Sequence, residues 1–126
     1  MFDRIDPRSP VPLYAQIATR IRVAVASSEL GTGDALPSVR ALATQLRINP
    51  ATVVQAYREL ERDGTVEMRH GAGTFVAAVS LDRRRQTKQS EARRLVRELL
   101  SNATRAGIDP EILRRVLNDE LEAHQS

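Results

Sequence analysis

Apolar residues recur along this chain with two different periods. Leu13, Ile17, Ile21 and Val25 return every fourth residue, with Tyr14, Ala18 and Ala24 beside them, so residues 13–30 (LYAQIATRIRVAVASSEL) contain an amphipathic helix. Val39, Leu42, Ala43 and Leu46 mark a second helical stripe, and Val53, Ala56, Tyr57 and Leu60 a third. The period then changes. Val66 and Met68 alternate with Thr65 and Glu67, Gly71-Ala72-Gly73 turns, and Thr74-Phe75-Val76 returns as a second strand. Helical spacing resumes at Ala92, Leu95, Val96, Leu99, Leu100 and Ala103, ending near Gly107, and again at Ile112, Leu113, Val116, Leu117 and Leu121. The expected fold class is mainly α with one small β-hairpin.

The residues between the stripes fix where elements start and stop. Residues 1–9 are polar and read as extended, with Pro7 breaking any early helix, and residues 30–34 (LGTGD) read as a turn. Ser38 is suited to cap a helix, Arg47 and Ile48 carry a short turn, and Asn49-Pro50 restarts a helix. The residue before proline favours the extended dihedrals of an N-cap, and proline suits the first helical position. Gly64 supplies a left-handed residue past the end of that helix. Two short helices joined so tightly form a helix-turn-helix, whose second helix is shaped for a DNA major groove. The glycine-tipped hairpin behind it is a wing.

Charge sharpens this reading by where it is missing. No Asp or Glu occurs from residue 35 to 58, while Arg40, Arg47 and Arg58 do. From 68 to 81 acids are absent again, and Arg69 and His70 lie there. Surfaces that meet a phosphate backbone shed carboxylates. Bulk charge carries none of this: the net charge of the 126 residues is only +3, and the pI near 10.1 reflects arginine, since Lys88 is the only lysine. Aromatic residues make up 3% of the chain, which disfavours single-strand binding by base stacking. There is no cysteine, no phosphate-binding loop and no metal-ligand spacing between His70 and His124, so neither an enzyme nor a metal or cofactor is expected. No signal core or membrane-length apolar run is visible, and a cytoplasmic location is expected.

Asn49, Ala51, Thr52 and Gln55, at the start of the second helix of the pair, are small or amide side chains able to meet base edges and phosphates. The pattern LPS-x-R-x-LA-x-x-L, then NP-x-TV-x-x-AY-x-x-L-x-x-x-G, then a glycine-rich turn closing in GTFV, resembles the winged helix-turn-helix head of GntR-family bacterial transcription regulators over about residues 9–77. The resemblance implies DNA contact from Ser38, Arg40, Asn49, Thr52, Val53, Tyr57, Arg69, His70, Gly71 and Gly73. Some family members carry arginines where this chain has Pro50, Ala51 and Val54, so their base preferences do not transfer.

The tail fixes the subtype. Residues 82–89 (DRRRQTKQ) read as a basic connector, a solvated linker or already the start of a helix, and the helical hairpin after it is too short to bury both of its stripes. Leu95, Val96, Leu99, Leu100, Leu113, Val116, Leu117 and Leu121 are therefore expected to meet the same tail of a second chain. The expected organisation is a DNA-binding domain over residues 1–78 and a two-helix dimerisation tail over 79–126. A short tail of this kind resembles the YtrA-like subfamily. The expected function is a DNA-binding transcription regulator, a repressor, acting as a homodimer on a palindromic double-stranded operator. The alternatives are a winged helix used only for protein contacts, and a regulator with a small-molecule effector site between head and tail or at the dimer interface.

Overall fold

A computed structural model describes residues 1–3 and 5–125. The chain runs α1 (Leu13–Ala26), α2 (Val39–Leu46), α3 (Pro50–Arg62), β1 (Val66–Arg69), β2 (Gly73–Val76), α4 (Leu81–Arg105) and α5 (Pro110–Gln125). It divides into two compact units, residues 1–88 and 89–126.

In the first unit each short helix is started by its own sequence. Ser38 Oγ accepts from the Ala41 N–H at 3.1 Å, and Asn49 Oδ1 accepts from the Ala51 N–H at 2.9 Å, with Pro50 at the first helical position. Between them Arg47 adopts the left-handed conformation, φ 58°, and the Ile48 N–H closes back onto the Ala43 carbonyl at 3.0 Å. Glycine is the usual occupant of such a cap, and a side chain there costs roughly 1–2 kcal/mol.

The apolar stripes converge on one core. Ile17, Ile21 and Val25 of α1, Leu42 and Ala43 of α2, and Val53, Ala56, Tyr57 and Leu60 of α3 are all buried, joined by Leu36, Val66 and Val76. Each large aliphatic side chain so buried contributes about 1.5–3 kcal/mol. Tyr14 sits at the edge of this core, half-buried.

The wing is an antiparallel pair with Val66 opposite Val76 and Arg69 opposite Gly73. The segment entering α2 docks along it, with the Leu36 N–H on the Thr74 carbonyl at 2.9 Å and the Val76 N–H on the Asp34 carbonyl at 2.8 Å. The alternation expected on β1 holds at Val66 only. Met68 is 53% exposed, because β1 has outrun the helices by that point and no layer covers its far end.

The described residues among 1–9, from which Arg4 is excepted, also depart from the polar, extended reading. Phe2 and Ile5 are half-buried against the core. The Gln16 amide pins the segment, accepting from the Asp6 N–H at 2.7 Å and donating to the Asp6 and Val11 carbonyls, each at 2.8 Å.

In the second unit, α4 reaches Arg105, Gly107 takes φ +73°, and Asp109 Oδ1 accepts from the Glu111 N–H at 2.9 Å to start α5. Ala103 is the only residue buried among those described there. Leu95, Val96, Leu99, Leu100, Val116, Leu117 and Leu121 are exposed, and Leu113 is half-covered.

Candidate nucleic-acid interface

With Val53, Ala56, Tyr57 and Leu60 turned into the core, the opposite face of α3 presents Ala51, Gln55, Arg58 and Arg62 to solvent. Asn49 is exposed at its cap and Thr52 is half-buried. Arg40 is exposed in the first turn of α2. Neither Arg40 nor Arg58 has an ion pair or side-chain hydrogen bond among the described residues, so both cations are available to an external anion.

The carboxylates Glu59 and Glu61 of α3 and Asp63 at its C-cap lie toward its C-terminal end, and the fold engages Glu59 and Asp63. Arg22 of α1 donates from Nε to Asp63 at 2.8 Å and lies 3.7 Å from Glu59. Asp63 also accepts from the Thr65 N–H at 3.0 Å and the Thr65 hydroxyl at 2.6 Å. Arg83 donates to the Asp63 carbonyl and stands 3.8 Å from its carboxylate. Burial pushes the Asp63 carboxyl up, but the Thr65 and Arg22 hydrogen bonds and the Arg22 charge outweigh it, leaving Asp63 below the ordinary aspartate value. The N-terminal half of α3 therefore stays free of negative charge, while Glu59 and Asp63 are held against α1.

At the wing, Arg69 is engaged internally. It donates to Glu67 at 3.0 Å from Nε and 2.7 Å from Nη2, and its guanidinium lies 4.4 Å from the centre of the Phe75 ring. His70, Gly71 and Gly73 are exposed, and both glycines hold positive φ, +76° and +120°.

Eight of the ten residues expected to meet DNA lie exposed or half-buried across the caps, α2, the start of α3 and the wing. Two do not. Val53 is 0% and Tyr57 1% exposed, both within the shared core, so neither side chain is open to a nucleic acid. Tyr57 instead donates from its hydroxyl to the Pro37 carbonyl at 2.7 Å. Gln55, one of the amide side chains read from the sequence, is exposed, and so is Arg58, which neither that reading nor the motif selected as a contact. Arg58 was findable from spacing alone, as part of the polar complement of the α3 stripe.

A short helix pair packed on a supporting helix, with a two-stranded wing beside it and no carboxylate on the first half of its second helix, defines a winged helix-turn-helix of the DNA-binding regulator class. The model for bacterial regulatory proteins of the gntR family matches residues 13–76. The chain belongs to the GntR family. It is 37% identical over 110 residues to the HTH-type transcriptional repressor YtrA of Bacillus subtilis, covering 87% of this chain and 85% of that one. Among solved structures, a GntR family transcriptional regulator from Listeria monocytogenes superposes with a TM-score of 0.66 at 30% identity, covering 90% of this chain and 97% of that chain. The DNA-binding domain of AraR in complex with operator ORR3 superposes with a TM-score of 0.52 at 25% identity, covering 57% of this chain and 87% of that one. Among the described residues no helix is long and apolar enough to cross a membrane.

Proposed function

We propose that this protein is a transcriptional repressor that binds a palindromic operator as a homodimer in the cytoplasm, one α3 in the major groove of each half-site. The observation that carries the DNA half of this reading is the outer face of the helix pair. Arg40, Asn49, Ala51, Gln55 and Arg58 are exposed there with no carboxylate among them. Ser38, Asn49 and Thr52 position the helix ends on phosphate and base edges, Arg40 and Arg58 supply charge, and Gly71 and Gly73 let the wing backbone approach the duplex. Arg69 and His70 flank that turn, Arg69 exchanging Glu67 for phosphate on binding. The similarity to a transcriptional repressor and to an operator-bound DNA-binding domain supports the same assignment.

The dimer half rests on the tail. Leu95, Val96, Leu99, Leu100, Val116, Leu117 and Leu121 leave too much apolar surface in water for two helices to stand alone. A second copy supplies the same stripe, and a two-fold pair of heads matches a two-fold operator.

The test is footprinting on duplexes that the protein selects from a randomised pool, with sedimentation of the same complexes. Two protected half-sites about one helical turn apart, ~34–36 Å, or at a spacing the tail sets, with two chains per duplex, are expected. A single half-site occupied by one chain overturns the dimer. Failure to retain any duplex favours a winged helix used only for protein contacts.

A further inference from the structure

Among the described residues, two other than glycine hold a left-handed backbone: Ser28 at φ 66° and Arg47 at φ 58°. Arg47 ends α2, at the position of the cap where glycine carries no Cβ penalty. The Arg47 and Ile48 N–H groups close onto the Thr44 and Ala43 carbonyls, as they would with glycine at this position, but the Arg47 side chain is exposed and makes no ion pair or hydrogen bond with any described residue, so the arginine itself gains nothing inside the fold. Such an outlier motivates a functional reading only where its surroundings supply one, and here Ser28 and Arg47 differ in location.

The location says which function. Two residues on, Asn49 caps α3, and the stretch from 35 to 58 around the turn contains no acid that could hold the guanidinium. A cation in the linker of a helix-turn-helix stands at the edge of the groove that the second helix enters, beside the sugar-phosphate backbone.

We propose that Arg47 is a phosphate contact, kept in a left-handed turn where glycine would be more stable because its charge is needed at the lip of the major groove. The proposal rests on the DNA-binding reading above. Phosphate contacts fix register without reading sequence, so Arg47 strengthens binding to any duplex and leaves base preference to α3.

The experiment uses the full chain, a duplex it selects from a randomised pool, and a random-sequence duplex. Arg47→Gly is expected to melt a few degrees higher, because the strain is released. The same variant is expected to bind both duplexes about tenfold more weakly, with the log K against log salt slope shallower by about one per chain. Arg47→Lys should restore the slope. Ser28→Gly, the matched control outside the helix pair, should also melt higher and bind as wild type does. Arg47→Gly with unchanged affinity and slope overturns the proposal, as does a melting temperature no higher than wild type. A loss confined to the selected duplex with the slope intact also overturns it, by making Arg47 a base reader. If the wild-type protein retains neither duplex, the DNA-binding reading fails first, and that result is distinct from all of these.

Discussion

The Tyr57 hydroxyl donates to the Pro37 carbonyl at 2.7 Å, fastening the middle of α3 to the chain just ahead of the Ser38 cap of α2. This bond spans the two helices of the recognition unit and helps set the angle between them. Burial pushes the Tyr57 phenol up to about 12, whereas tyrosine in an unfolded chain titrates near 10. The unfolded state therefore loses this proton first. The stabilisation is complete below pH 10 and is lost as pH rises from there towards 12, by about 1–3 kcal/mol in all. Tyr57→Phe should cost about 0.5–1.5 kcal/mol at pH 8 and flatten the alkaline limb. Urea unfolding of both proteins from pH 8 to 11.5 checks this; parallel alkaline limbs would exclude the coupling.

Asp63 works in the opposite sense. Its carboxyl titrates below the ordinary aspartate value, so its contribution is present above about pH 4 and lost as pH falls through its folded value. Asp63→Asn should lower stability at pH 7 by about 1–3 kcal/mol, since the Thr65 and Arg22 donors lose a charged acceptor. Its acid unfolding should begin from a flatter baseline than that of wild type. Equal stabilities at pH 7 would show that Arg22 and Thr65 find other partners.

Arg40 is exposed and unpaired among the described residues, so its removal should spare the fold and weaken DNA binding. For Arg40→Ala, a base-reading role predicts a loss of about 1–3 kcal/mol per half-site and relaxed preference at one operator position. A phosphate-holding role predicts weaker binding to every sequence and a salt slope smaller by about one per contact. Titration at several salt concentrations separates the two. Wild-type affinity and slope, with circular dichroism unchanged, would leave Arg40 a surface charge.

Leu99→Asp places a carboxylate in the centre of the exposed α4 stripe. If that stripe is the seam between two chains, burying an unpaired charge there costs several kcal/mol. Sedimentation should then report monomer, and operator binding should weaken with the loss of the second half-site. A variant that remains dimeric moves the seam off Leu99.

The elements, most of their ends and the class of the protein were legible in the sequence because they depend on interactions a few residues long; the start of α4 was not, since the polar run 82–89 that opens it has no apolar stripe. Ser38 and Asn49 cap the helices they precede, Gly64 takes the left-handed position after α3, and Gly71 and Gly73 turn the wing. Helical spacing marked the core stripes, and motif spacing identified the family. What the sequence left undecided were choices between partners distant along the chain. Val53 and Tyr57 belonged both to the α3 stripe and to the DNA-contact motif, and only tertiary packing into the shared core put them inside. Phe2 and Ile5, in a stretch that reads as polar, reach the core because Gln16 holds the segment down. Met68 has the alternation of an inward residue but no layer above it. Arg69 reads as a free cation until the strand register sets Phe75 opposite Glu67 and brings both within its reach. Local sequence sets a residue's conformation and periodicity, but burial and pairing depend on which surfaces meet, and the tertiary structure decides that.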